Sequence, residues 1–207
     1  MDNKQIRDNS IRSAKSLGVT VSLTLPLLDI GLEMRSADET VSRILAMNVV
    51  AAVAYGFDQA KAIAWLKQEA LIDLLSEVEK SFVFHGIGQP DRFKVQIEGM
   101  WALAWALGVV NELKFESDCD NRFALLLPNL NQGQSSSEFR NRINLRPIEE
   151  VIAACDLAYC LHWAIRESEL HGRPLPDGFK KYRISERRRA LDWYLSKKQW
   201  TEVILDT

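Results

Sequence analysis

The sequence predicts a mainly α-helical, single-domain protein: a bundle-like fold with two central apolar helices and a minor N-terminal extended segment. Apolar residues at helical spacing, stopped by glycines, dominate the chain. Two Ser-x-x-Glu signatures, Ser36 to Glu39 and Ser76 to Glu79, mark helix starts at which a hydroxyl and a carboxylate satisfy backbone donors. Residues 19–25 instead alternate apolar and polar side chains with the period of a half-buried strand. With 207 residues, 47% of them hydrophobic and 26% charged, the chain is long enough for one sizeable core, and residues 1–207 read as one domain.

Residues 3–17 read as a surface helix ended by Gly18. Val19, Val21, Leu23 and Leu25 alternate with Thr20, Ser22 and Thr24, and Pro26 stops the extended segment. The Ser36 box opens a long apolar helix to about Tyr55. Gly56 and Asp58 separate it from a second helix, residues 58–69, that carries Ile63, Trp65 and Leu66. The Ser76 box opens a short helix ending near Gly86 or Gly88. Pro90 and Asp91 introduce the first central helix, residues 92–107, apolar on nearly every side and closed by Gly108. Residues 118–130 stay open between a short helix and an extended run. Residues 129–137, apolar only at Leu130, are expected to form an exposed, mobile loop. Pro147 suits the first turn of the second central helix, residues 147–169, with Gly172 just beyond it. The last helix is placed at residues 185–197, with an apolar tail from Trp200 packing back.

Composition removes several function classes. A net charge of -2 gives no global reason to expect nucleic acid or an anionic membrane. The nine basic residues between Arg173 and Lys198, against three acidic ones, nevertheless make a local positive face. Three cysteines, Cys119, Cys155 and Cys160, are too few for a disulfide framework, so a reducing, cytoplasmic setting is expected. The first residues lack the apolar core of a signal peptide. Residues 17–32 are too interrupted, by Thr20, Ser22, Thr24, Pro26 and Asp29, to span a membrane. No phosphate-binding glycine loop, dinucleotide fingerprint or nucleophile elbow occurs, and no Cys-x-x-Cys or His-x-x-x-His pair offers metal-ligand spacing. No cofactor and no metal is therefore expected. Asp118 and Asp120 beside Cys119 disfavour a reactive thiol there, because negative neighbours raise its pKa.

What chemistry the sequence offers lies in a shared spacing. Glu98 precedes Trp105, Asp156 precedes Trp163, and Glu186 precedes Trp193, each by two helical turns. Each helix thus carries an acid and an indole on one face, with Trp101, Tyr159 and Arg189 on the same stripes. A carboxylate on an apolar face needs a partner, because an unpaired one is costly to desolvate. Arg140, Arg142, Arg146 and Arg187 to Arg189 are available. On one reading Glu98, Asp156, His162 and Glu186 are catalytic candidates lining a cleft, and Arg146, Arg187, Arg189, Tyr159 and Trp101 bind what enters it. On the other, each acid closes an ion pair with an arginine and fixes the register of packed helices.

The whole chain resembles the bacterial family known as domain of unknown function 4272. The resemblance runs through ordered blocks: Leu17-Gly18, Leu25-Pro26, Arg35-Ser36 with Glu39 and Arg43, Trp65-Leu66-Lys67, and Ser76 with Glu79. It continues through Glu98 with Trp101 and Trp105 to Gly108, Cys119-Asp120, Leu145-Arg146, and Asp156-Leu157 with Tyr159 and His162 to Ala164. Glu186-Arg187 with Arg189 to Leu191 and Trp193, and the terminal Asp206-Thr207, complete it. It implies no activity, only that these polar blocks belong together. Val95, Cys160 and Asp192 depart from it, standing where the family pattern has tryptophan, arginine and asparagine.

The expected function is non-enzymatic protein interaction in the cytoplasm, of the kind that neutralises a partner such as a toxin, with the partner unidentified. The rival is an enzyme, or a small-ligand or metal binder, using the carboxylate, histidine and arginine cluster. Sealed and paired acids favour the first; two carboxylates sharing an open pocket favour the second.

Overall fold

The computed structural model describes residues 2–28 and 34–206; Asp29 and Thr207 lie outside them. The fold is mainly α-helical. Helix α1 (Asn3–Ser16) is followed by α2 (Ala37–Ala54), α3 (Gln59–Gln68), α4 (Glu77–His85), α5 (Pro90–Lys94) and α6 (Ile97–Ala106). Helices α7 (Ser137–Arg140), α8 (Ile148–Leu170) and α9 (Lys181–Tyr194) complete the set, with short 3-10 turns between them. Both capping boxes form: Ser36 and Ser76 accept from the amides of Glu39 and Glu79, whose carboxylates accept from the serine amides in return.

Several boundaries differ from the sequence reading. The first central helix is two helices, α5 and α6, because residues 95 and 96 turn more tightly, with the Gln96 amide bonded three residues back to Phe93. Helix α9 starts four residues before Ser185. Residues 19–25 form no strand, and no strand occurs among the described residues. Val19, Val21 and Leu25 are buried as the alternation requires, but a turn closed by Leu25 bonding back to Ser22 leaves Leu23 85% exposed. A strand needs a neighbour to pair with, and a lone alternating segment has none. The loop at residues 129–137 is mostly exposed yet tied down. Ser136 is buried, its amide and hydroxyl donate to Glu69, and the Trp65 indole donates to the Gln134 carbonyl at 2.8 Å.

The largest departure concerns α9. Helices α6 and α8 both pack on it, α1 covers the far side of α8, and α2 backs α6 and α5. The helix at the centre is thus one of the most polar in the chain, carrying Arg183, Arg187 and Arg188 fully or almost fully buried. Of the nine basic residues expected to make a positive face, Arg183, Arg187 and Arg188 turn inward and pair with Asp118, Glu98 and Asp192, while Arg173, Lys180, Lys181, Lys197 and Lys198 stay exposed. Gly99 allows the α6 to α9 approach: a Cβ there would lie 3.2 Å from the Glu186 carbonyl.

Candidate functional site

The three acids of the shared spacing occupy helices as expected, but they share no partner. Glu98, on α6, accepts from Arg187 Nε at 2.9 Å and Nη2 at 2.5 Å, and from the Cys119 amide at 3.1 Å. Both members of this ion pair are buried, and Arg187 is 0% exposed. The charge-assisted pair closes the carboxylate and fixes α6 against α9. Trp101 lies at the rim, its indole donating to the Glu112 carbonyl, in an open pocket with Asp118, Asp120 and Arg187.

Asp156, on α8, is closed from the other side. Arg7 of α1 donates to it from Nε, at 3.2 and 3.1 Å, and from Nη2 at 2.7 Å, while Nη1 holds the Leu25 carbonyl. Arg7 was absent from the expected partners. Its signal is faint: it lies seven residues from the buried Ala14, on the inward face of an otherwise polar helix. Tyr159 stands between two guanidinium groups, with Arg7 5.4 Å and Arg188 4.7 Å from its ring centre. Arg188 Nη1 lies 2.7 Å from His162 Nδ1. Arginine can only donate, so Nδ1 accepts and the imidazole is neutral. Burial and the Arg188 cation push His162 down to about 4. Arg146 joins none of the acids of this set. It donates to the carbonyls of Trp105, Val110 and Asn111 and stacks over Trp105, locking the turn after α6.

The thiols are equally inert. Burial, with Glu98 and Asp156 nearby, pushes Cys119 and Cys160 up to about 12, and Cys155 donates to Asp192. No group of three or more histidine, cysteine and acidic side chains suited to a metal ion occurs among the described residues.

Glu186 is different. Its carboxyl lies on α9 with Oε1 3.7 Å from Arg189 Nε, too far for a hydrogen bond, and Oε2 buried without any partner. Burial pushes this carboxyl up, although Arg189, Arg92 and Arg43 all pull the other way. It lines a chamber of about 100 Å³ with Gln96, Arg189, Arg92, Glu79, Ser76, Trp200 and Thr201 among its walls. Gln96 is 8% exposed and its Oε1 is also unpartnered, as are Arg189 Nε and, on the far side of Glu79, Arg43 Nε. Arg43 forms a buried bidentate pair with Glu79, and its guanidinium lies 4.5 Å from the Trp200 ring centre. The chamber adjoins a groove of about 650 Å³ between α2, the start of α4 and the C-terminal tail, and the two share Ser76, Val78, Trp200 and Thr201. Arg35 walls the groove, lying over Trp193 at 4.1 Å and donating to the Trp193 and Lys198 carbonyls. The tail that packs back is therefore one wall of the groove.

Of the sequence candidates, Glu186 and Arg189 meet at this chamber, Glu98, Trp101 and Arg187 meet elsewhere, and Asp156, Tyr159 and His162 form a third, closed cluster. Gln96, Trp200 and the buried role of Arg43 and Glu79 were missed. Arg43 and Glu79 could have been found, since both stand in the blocks of the family resemblance.

Fold and site together define a helical protein built on buried arginine–carboxylate pairs, with one polar chamber left unpaired at the mouth of a groove. The chain belongs to the family described as Domain of unknown function (DUF4272), whose model matches residues 7–203. No curated protein and no solved structure matches it.

Proposed function

We propose that this protein acts by binding, at the groove and chamber between α2, α4, α9 and the C-terminal tail, and not by catalysis through Glu98, Asp156 and His162. The observation that carries this reading is the distribution of unsatisfied groups. Six buried side-chain nitrogen or oxygen atoms lack a hydrogen-bond partner among the described residues, and four of them belong to Gln96, Glu186, Arg189 and Arg43 around this one site. Buried polar atoms are costly when left unmade, and these four belong to residues that line the chamber or the groove beside it, which marks this face as the one where stability is given up. Glu98 and Asp156, by contrast, already have their partners, which supports a structural role for both. The three cysteines, none in a disulfide, support a reducing cytoplasmic setting.

The test is native mass spectrometry of the tagged protein purified from its host at modest salt, alongside a Thr201→Trp variant that fills the neck of the groove from the exposed tail. A stoichiometric partner or small molecule held by the wild type and lost from the folded variant is the expected result. A partner retained equally by both, or turnover that survives Thr201→Trp and is lost in Glu98→Gln, overturns the reading.

A further inference from the structure

A cavity of about 660 Å³ opens where the end of α2 and the start of α3 meet residues 124–134, and it shares no wall residue with the groove or the chamber. Its size falls within the range of small-ligand sites, roughly 300–1,000 Å³. Five carboxamides stand in its walls: Asn48, Asn129, Asn131, Gln132 and Gln134. Asn129 and Gln134 hold the wall itself in shape. The Gln134 side chain accepts from the Asn129 amide at 2.9 Å and donates to Glu138, the Asn129 side chain accepts from the Gln132 amide at 3.3 Å, and the Trp65 indole pins the Gln134 carbonyl. The side chains of Asn48, Asn131 and Gln132 make no hydrogen bond among the described residues. All three are accessible. Asn131 and Gln132 are exposed, and Asn48 is the one residue between Thr40 and Ala51 that is not buried, with neither polar atom of its amide among the sealed ones.

The same wall carries apolar surface and balanced charge. Tyr55 is 66% exposed and Leu125 77% exposed, and both line the cavity. Among the described residues its charged side chains are Asp58 and Lys61, one of each sign. Just outside, Lys94 lies 5.6 Å from the Tyr55 ring centre and Glu138 holds Gln134, again one of each sign. A phosphorylated or carboxylated ligand thus finds no surplus cation. A hydrocarbon would take water from the three free amides and give them no partner. An extended peptide joining by strand addition needs a strand edge, and no strand occurs among the described residues. A neutral saccharide meets each condition. Its hydroxyls both donate and accept, as carboxamides do, and a pyranose ring turns C–H groups toward the negative face of an aromatic ring. We infer that this cavity binds a neutral saccharide, its hydroxyls served by Asn48, Asn131 and Gln132 and its C–H face by Tyr55. Because residues 129–134 are already held, little ordering has to accompany binding.

The experiment is a titration of the full chain with maltose, cellobiose, lactose and diacetylchitobiose, followed by the indole N–H signals of Trp65 and Trp200 in NMR. Trp65 is bonded to the cavity wall through Gln134, whereas Trp200 lies in the groove. At least one disaccharide is expected to shift Trp65 saturably, with a millimolar Kd, and to leave Trp200 in place. Tyr55→Ala, and Asn131→Ala combined with Gln132→Ala, alter exposed side chains alone. Each is expected to raise that Kd by about tenfold while keeping the wild-type circular dichroism. Glucose 6-phosphate and glucosamine, as charged controls, are expected to bind no more tightly than glucose. No Trp65 shift with any of the disaccharides, a Kd unchanged in either variant, or tighter binding of a charged control than of glucose overturns the proposal. So does a Trp65 shift produced by an acetyl-hexaproline amide and by none of the sugars, which gives the cavity to a proline-rich protein segment instead. If a disaccharide moves Trp200 and not Trp65, this cavity loses its assignment while the groove stands as the binding site.

Discussion

Glu98, Asp156 and Glu186 show how little an acid's position on a helix says about its role until its partners are known. Glu98 and Asp156 each neutralise one buried arginine. Removing one partner of such a pair strands the other charge, so Arg7→Met and Glu98→Gln are expected to destabilise the fold by about 3 kcal/mol each, read by urea unfolding. His162 gives a pH signature. Its folded pKa of about 4 lies below the ordinary imidazole value of 6.5, so on acidification the unfolded chain takes up a proton first. The stability this residue carries is complete above about 6.5 and lost progressively as pH falls toward 4; His162→Gln should flatten that acid limb in a series of thermal melts. Glu186 runs in the opposite sense. Its folded pKa is raised by burial, so ionisation disfavours the fold at neutral pH. Glu186→Gln should therefore stabilise the protein at pH 7, and the gain should vanish below the carboxylate range, where the native acid is neutral as well.

Helices were the most legible part of the sequence, because caps and glycines act locally. The Ser36 and Ser76 boxes and the stop at Gly108 lie where the spacing put them. Ser76→Ala should cost about 1 kcal/mol, and because Glu79 also holds Arg43, part of that loss should appear as weaker burial of Trp200, read by fluorescence quenching. Gly108 is more demanding. It adopts φ 71°, and an added Cβ would lie 1.9 Å from the Asn144 carbonyl oxygen. Gly108→Ala is expected to destabilise by more than about 2 kcal/mol in denaturant titrations, through backbone conformation and collision together. The misread elements share a cause. The alternation at residues 19–25 encodes burial of Val19 and Val21 and nothing about pairing, and the break at residues 95–96 has no proline or glycine to announce it.

At the scale of the molecule, the sequence reading placed two apolar helices at the centre, whereas an arginine-rich helix lies between α6 and α8. Hydropathy could not reveal this, since Arg183 and Arg187 are buried against Asp118 and Glu98, both distant in sequence, while Arg188 pairs with Asp192 one turn along its own helix. The expectation that arginines would pair with the helix-borne acids was legible in outline, and Arg187 with Glu98 realises it. The chamber was not legible: Gln96, Glu186, Arg189 and Trp200 converge from three segments, and what sets the first three apart is a missing partner, which no spacing records. Function and stability separate on that point. The measurement that tests this most directly is thermal unfolding at neutral pH of the wild type, Glu98→Gln and Glu186→Gln in one buffer. A lower Tm is expected for Glu98→Gln and a higher Tm for Glu186→Gln, the mark of a carboxylate held without a partner. An equal fall in both would show Glu186 to be one more structural ion pair and would contradict the assignment of the chamber as a binding site.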